Sequence, residues 1–234
     1  MAYATIMITR TLLVLLASFV LLPTARAQVP PSSAERAVYT GLHKAAAAGD
    51  VAAIEREARA GSAVDPRDGH GRTPLHVAVF AQQPDAVRAL IRLGADANAL
   101  EAQKYDPVTI ASVANDVPML ALLLANGARA TNITSPYHGT ALIAAAHLGH
   151  AEVVRRLIAA KAPLDHVNNL GWTALIESIV LGDGGQNHTD TLTALVKAGA
   201  KVNLADRNGA TPLALARQRN YATMVAILEA AGAK

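Results

Sequence analysis

The sequence predicts an all-α repeat fold, a solenoid of about six helix-turn-helix units joined by β-turn fingers. Two series of equivalent positions predict this fold, because both recur in one register along most of the chain. A position that is mostly leucine recurs at steps of 33, 33, 34, 33 and 38 residues: Leu42, Leu75, Val108, Leu142, Leu175 and Leu213. A glycine position follows it: Gly61, Gly94, Gly127, Gly199 and Gly232, with Lys161 in the fourth place.

The most regular unit begins with Thr73-Pro74-Leu75-His76 and closes with Gly-Ala-Asp-Ala-Asn at 94–98. A 33-residue period headed by this tetrapeptide resembles the ankyrin repeat. The resemblance covers about residue 39 to the C-terminus and implies a β-turn finger and two antiparallel helices in each unit. We expect units at 39–68, 69–101, 102–134, 135–168, 169–206 and 207–234.

Helix signals within each unit agree with this division. Thr73 can cap the first helix with its side-chain oxygen, and Pro74 suits the first helical position, where no N–H is needed. Glycine at the end of the second helix readily adopts the left-handed conformation. The third unit replaces the tetrapeptide by Asp106-Pro107-Val108-Thr109, so we expect Asp106 to be its cap.

The N-terminus has the pattern of a signal peptide over 1–27. An apolar run from Thr11 to Leu22 precedes a proline, and Ala25-Arg26-Ala27 fits the small-x-small cleavage pattern. The alternative is a retained membrane anchor, although the run is shorter than the roughly 20 residues that a spanning helix needs. We expect residues 28–38 to be a flexible lead-in, and 39–234 to form the ankyrin-repeat domain.

Composition excludes several classes of protein. The formal net charge is +3 with 21 basic and 18 acidic residues, and removing Arg10 and Arg26 with the leader leaves 19 against 18. No basic run indicates nucleic acid as a partner. The chain has no cysteine, which excludes disulfides, thiolate catalysis and thiolate metal ligands.

The insertion at 181–191 makes the fifth unit longer than the others. A longer surface loop costs little closure entropy, so a tolerated insertion is one interpretation. The other is a loop that contacts a partner or holds the neighbouring unit. Asp183, His188 and Asp190 lie within it, but their spacing matches no calcium-loop pattern.

The sequence provides no recognisable catalytic constellation or cofactor motif. His43 and His76 occupy the tetrapeptide's histidine position, where the resemblance implies a structural role between adjacent units. A shared metal at His147 and His150 is disfavoured because Gly149 interrupts the helix between them. We therefore predict no enzyme, no metal and no cofactor.

The resemblance implies a concave groove lined by the fingers and the exposed side of the first helices. Residues before each Thr-Pro position, and residues near the end of each first helix, are expected to point into it. Aromatic side chains and arginine are common at binding hot spots. The predicted partner contacts are Arg72, Phe80, Tyr105, Tyr137, His147 and Trp172.

These observations predict an exported, periplasmic ankyrin-repeat protein, monomeric, that recognises another protein through its groove. One alternative is an assembly or protective factor for another exported enzyme. A more remote one is a metal-dependent hydrolase using His147 and His188.

Overall fold

A computed structural model describes residues 28–234, and the predicted signal peptide lies outside these residues. Thirteen helices and no strand occur in the described part. The first helix, α1 (Ser33–Val38), precedes the repeats. The six helix pairs follow: α2 (Gly41–Ala48) and α3 (Val51–Arg59), α4 (Pro74–Phe80) and α5 (Pro84–Arg92), α6 (Pro107–Val113) and α7 (Val117–Ala125), α8 (Ala141–His147) and α9 (Ala151–Ala159), α10 (Ala174–Val180) and α11 (Gln186–Lys197), and α12 (Pro212–Gln218) and α13 (Ala222–Ala230).

The helices form two layers. Each first helix of a pair packs on the first helices of the neighbouring pairs, from α2 to α12, and each second helix packs on the adjacent second helices, from α3 to α13. One apolar cluster runs between the layers from Leu42 to Leu228. All six members of the leucine series are buried, which confirms that this series forms the inward-facing repeat. The predicted all-α ankyrin solenoid is therefore confirmed.

Side-chain caps begin five of the six first helices, and α2 is the exception, because Thr40 makes no side-chain cap hydrogen bond. The hydroxyl of Thr73 accepts the backbone N–H of His76, and Thr140, Thr173 and Thr211 cap their helices in the same way. Asp106 takes this role in the third unit, where its carboxylate accepts the N–H of Thr109 at 2.7 Å. Each cap satisfies a backbone N–H that has no partner within its helix.

Backbone hydrogen bonds join the second, third, fourth and fifth fingers in series. The backbone N–H of Ala102 donates to His70 O, that of Ser135 to Lys104 O, and that of Asn169 to Tyr137 O. His43 and His76 add a second set, since Nε2 of His43 lies 2.9 Å from Arg72 O and Nε2 of His76 lies 3.2 Å from Tyr105 O. The predicted structural role of both histidines is confirmed.

Two segments differ from the expectation. The lead-in at 28–38 contains α1, whose start is a capping box between Ser32 and Glu35. The insertion is not a loop throughout, because α11 begins at Gln186 and is 12 residues long where the other second helices have nine. Five residues, 181–185, join α10 to α11, where three join the helices of most other pairs.

No helix among the described residues is long and apolar enough to cross a membrane.

Candidate partner-binding surface

The ends of the first helices form a row of partly exposed side chains. Phe80, Val113, His147 and Val180 are the last residues of α4, α6, α8 and α10, and each is half-buried. Stacked equivalent units place equivalent residues in a line. Leu148 and Leu181 follow directly and are exposed by 40% and 39%. We call these six residues the helix-end row.

The residues that precede the helix caps differ in exposure. Arg72 and Tyr105 are buried, with 2% and 7% of their surface accessible, whereas Trp172 is half-buried. Tyr105 belongs to the apolar core cluster, and burial raises the pKa of its phenol. Little of Arg72 or Tyr105 is therefore accessible to a partner in this conformation, while Trp172 has surface to offer. Partner contact by these residues stays a prediction.

Tyr137 lies in the fourth finger and is half-buried. Its backbone carbonyl accepts the N–H of Asn169, so the fourth and fifth fingers are tied together at this residue. The side chain of Tyr137 is thus held close to the finger that carries Trp172.

A buried acid links two of the predicted contact residues. Glu177, in α10, is only 4% exposed, and its Oε2 lies 3.3 Å from Nδ1 of His147. Its Oε1 accepts a hydrogen bond from Asn168 Nδ2 at 2.9 Å, and Oδ1 of Asn168 accepts the backbone N–H of Trp172 at 3.0 Å. This network fixes the finger of Trp172 and the ring of His147 relative to each other.

Sequence reasoning missed Glu177, Leu148 and Leu181. Glu177 stands in a helical register where the second, third and fourth units have Val77, Ile110 and Ala144, and the first unit has Lys44. The acid at a position that is apolar in the three units before it could have marked Glu177 as a candidate functional residue. Leu181 was considered only as the first residue of the insertion, and Leu148 gave no signal, because the exposure of both depends on where each helix ends.

The insertion contacts both neighbouring units. His188 Nε2 lies 3.0 Å from His147 O in the fourth unit, and its Nδ1 lies 2.8 Å from Asp183 Oδ1. The hydroxyl of Tyr221, in the sixth unit, donates to Gly182 O at 2.8 Å. Of the two interpretations, the contacts favour a segment that holds the adjacent units. No cluster of three or more potential His or carboxylate metal ligands occurs in the described part of the chain.

Helix α1 lies against the second finger through polar contacts. Glu35 Oε1 accepts a hydrogen bond from Arg72 Nη2 at 2.7 Å and lies 2.9 Å from His70 Nε2. The hydroxyl of Tyr39 donates to Asp68 Oδ2 at 2.6 Å. Hydrogen bonds from Ser32, with Arg72, lower the pKa of Glu35 to about 2. Burial acts to raise the pKa of Asp68, but hydrogen bonds from Tyr39 and from two backbone N–H groups outweigh it and hold that pKa low.

Comparison with known proteins agrees with this architecture. A family model described as "Ankyrin repeats (3 copies)" matches residues 21–101 and 108–205. The chain therefore belongs to the ankyrin-repeat family, whose members generally mediate protein–protein interactions and are typically non-enzymatic scaffolds.

Similar proteins occur in bacteria and animals. The ankyrin repeat protein YahD of Escherichia coli (strain K12) is 33% identical over 190 residues, which is 81% of this chain and 94% of YahD. An ankyrin repeat domain from Acinetobacter baumannii AYE has 44% identity and a TM-score of 0.78, covering 82% of this chain and 98% of that domain. Human neurogenic locus notch homolog protein 1 is 31% identical over 151 residues, 64% of this chain but 6% of its own length.

Proposed function

We propose that this protein is an exported, periplasmic binding protein that recognises a protein partner through the helix-end row and the fingers beside it. The observation that carries this proposal is the row itself. Four stacked first helices end in partly exposed side chains, and Leu148 and Leu181 extend the row with apolar surface. Exposed apolar side chains on neighbouring units are typical of a recognition site.

Rigidity supports the same proposal. The finger-to-finger hydrogen bonds and the Glu177 network hold Trp172, His147 and Tyr137 in place before a partner arrives. A surface that is ordered in advance loses less conformational entropy on binding. We therefore expect recognition without large rearrangement of the fourth and fifth units.

Export is the other part of the proposal and rests on the pattern of residues 1–27. Fractionation of cells expressing the full-length chain is expected to recover the protein in the periplasm. N-terminal sequencing should then begin near Gln28. An uncleaved protein in the cytoplasmic fraction would contradict export.

A capture experiment tests the binding surface. Leu148→Glu places a charge in the helix-end row, and Leu93→Glu is its matched control, because Leu93 also follows a helix end but belongs to the second layer. We expect a partner retained from envelope extract by the unmodified protein and by Leu93→Glu, and lost by Leu148→Glu. Trp172→Ala should weaken retention as well.

Two outcomes would contradict this surface. Equal retention by Leu148→Glu and Leu93→Glu would place the contact elsewhere on the molecule. Loss of retention by both variants to the same extent would show that charge alone disturbs binding. Circular dichroism melts of each variant check that the helices remain folded.

A further inference from the structure

Helix α1 buries no apolar face of its own, and it is held by polar contacts and by its two flanks, where Pro31 is buried and Tyr39 packs against the core cluster. None of its six residues is buried, and Val38 is 76% exposed. A helix this short is unstable by itself, since nucleation is costly and only a few hydrogen bonds follow. The position of α1 thus depends on neighbouring contacts such as the ion pair of Glu35 with Arg72 and the contact of Glu35 with His70.

The guanidinium of Arg72 is incompletely paired. Its side chain is 2% exposed, Nη2 lies 2.7 Å from Glu35 Oε1, and Nε lies 3.5 Å from Asp68 Oδ2. Nη1 is buried, and among the described residues no acceptor forms a hydrogen bond with it. Buried N–H groups are nearly always paired in folded proteins, so an orphan nitrogen on a buried cation is a place where an incoming acceptor can bind.

Glu35 cannot satisfy Nη1 because the capping box restrains it. Oε2 of Glu35 accepts the backbone N–H of Ser32 at 2.7 Å, which leaves only Oε1 for Arg72 and His70. Arginine binds carboxylates best through two parallel N–H···O bonds. A carboxylate free of the capping box could use both of its oxygens on Nη1 and Nη2, and His70 would supply a further contact.

We propose that Arg72 and His70 form a binding site for a carboxylate side chain on an acidic segment of the partner protein. Glu35 occupies this site in the unbound protein, and α1 is displaced when the partner binds. Arg72 stands directly before its helix cap, in the position that Trp172 has in the fifth unit, so the site lies at the N-terminal end of the fingers that belong to the proposed binding surface. The inference rests on the proposed function, because it names the chemistry of the partner.

Fluorescence polarisation with labelled hexaglutamate tests this site. The variant Glu35→Ala removes the competing carboxylate. Glu55→Ala is the matched control, because it removes one acid from an exposed i,i+4 pair with Arg59 and changes the net charge equally. We expect Glu35→Ala to bind the peptide at least fivefold more tightly than the unmodified protein, and Glu55→Ala to bind it no more tightly.

Arg72 and His70 identify the location of the site. Arg72→Gln added to Glu35→Ala should abolish the gain in affinity, and His70→Gln should reduce it severalfold. His70 is exposed, so its replacement provides a readout even if loss of Arg72 disturbs the fold. Equal affinity of Glu35→Ala and Glu55→Ala, or a gain that survives His70→Gln and Arg72→Gln, would overturn the proposal.

Inorganic phosphate serves as a second probe, since it also pairs with arginine. The concentrations of phosphate and of acetate that displace the labelled peptide are compared. If phosphate displaces the peptide no more readily than acetate does, the result supports a carboxylate site. Binding of phosphate by Glu35→Ala without binding of hexaglutamate would overturn the acidic segment as ligand. These measurements use no residue of the helix-end row, so a failed capture experiment and a failed peptide experiment are distinguishable.

Discussion

Burial determines the protonation state of His76. The ring is fully buried, with Nε2 facing the carbonyl of Tyr105 and Nδ1 accepting the backbone N–H of Thr73 at 3.2 Å. A carbonyl can only accept, so the neutral tautomer with hydrogen on Nε2 satisfies both contacts. Burial lowers the pKa of His76 to about 4, because the charged form loses its hydration.

The lowered pKa of His76 predicts a pH dependence of stability. The folded-state pKa lies below the unfolded value of 6.5, so the unfolded state binds more protons between these values. Stability from this group is complete above about pH 6.5 and is lost as the pH falls towards 4, by roughly 3 kcal/mol. Urea unfolding from pH 7 to 4 should show a smaller loss for His76→Gln than for the unmodified protein. If the free energies of unfolding of the two proteins fell in parallel with pH, His76 would not be the origin of the loss.

Lys161 differs from the other members of the glycine series, because it is the one member with a side chain. It stands in the glycine series and has a φ of 66°, while Gly94 and Gly199 have φ of 93° and 92°. A residue with a Cβ adopts this conformation at a cost of about 1 to 2 kcal/mol. The surrounding helix pair therefore imposes the turn even where the sequence lacks glycine.

At the scale of elements, the insertion is divided between a turn and a helix. Two extra residues lengthen the connection after α10, and three lengthen α11, which together account for the five additional residues of the fifth unit. The connection packs on Tyr221 so closely that a Cβ on Gly184 would lie 2.4 Å from its ring. The insertion thus fills the space between the fifth and sixth units.

Gly184 provides the test of this packing. Gly184→Ala should destabilise the protein by about 2 kcal/mol or more, because the methyl group meets the Tyr221 ring and the backbone has a φ of 72°. The neighbour Gly185 has an ordinary φ of −71°, and an added Cβ there meets only the flexible side chain of Asp183. Gly185→Ala is therefore the matched control in urea unfolding. Similar losses for both variants would contradict the tight contact.

The whole molecule is an array in which each unit contacts its neighbours. The stability of such an array is approximately a sum of unit and interface contributions, so a terminal unit can open while the remainder stays folded. Leu142 is buried in the fourth unit with neighbours on both sides, and Leu228 is buried in the last unit with a neighbour on one side.

Hydrogen exchange distinguishes these two positions. Leu142→Ala should lower the free energy of global unfolding by about 2 to 5 kcal/mol. Leu228→Ala removes the same side-chain atoms, but the loss of amide protection should be confined to α12 and α13. Protection of α4 would then stay as in the unmodified protein. An equal loss of protection in α4 for both variants would indicate that the array unfolds as one unit.

The sequence by itself determined the number of helix pairs, their order and the caps of the first helices from the second unit onward. This succeeds because each unit repeats a local pattern. Thr73 and Asp106 each accept the backbone N–H of the residue three positions later, and the leucine series needs only its period to predict burial. Export and the partner contacts remain predictions, and the periodic pattern does not specify the partner.

Only the tertiary structure decided which predicted contacts are accessible. Arg72 is paired with a residue 37 positions before it, His147 with Glu177 in the next unit, and His188 with a carbonyl 41 positions before it. Such pairs depend on how stacked units and the added α1 bring distant residues together. A repeat pattern specifies what each unit shares, whereas these contacts arise where units differ.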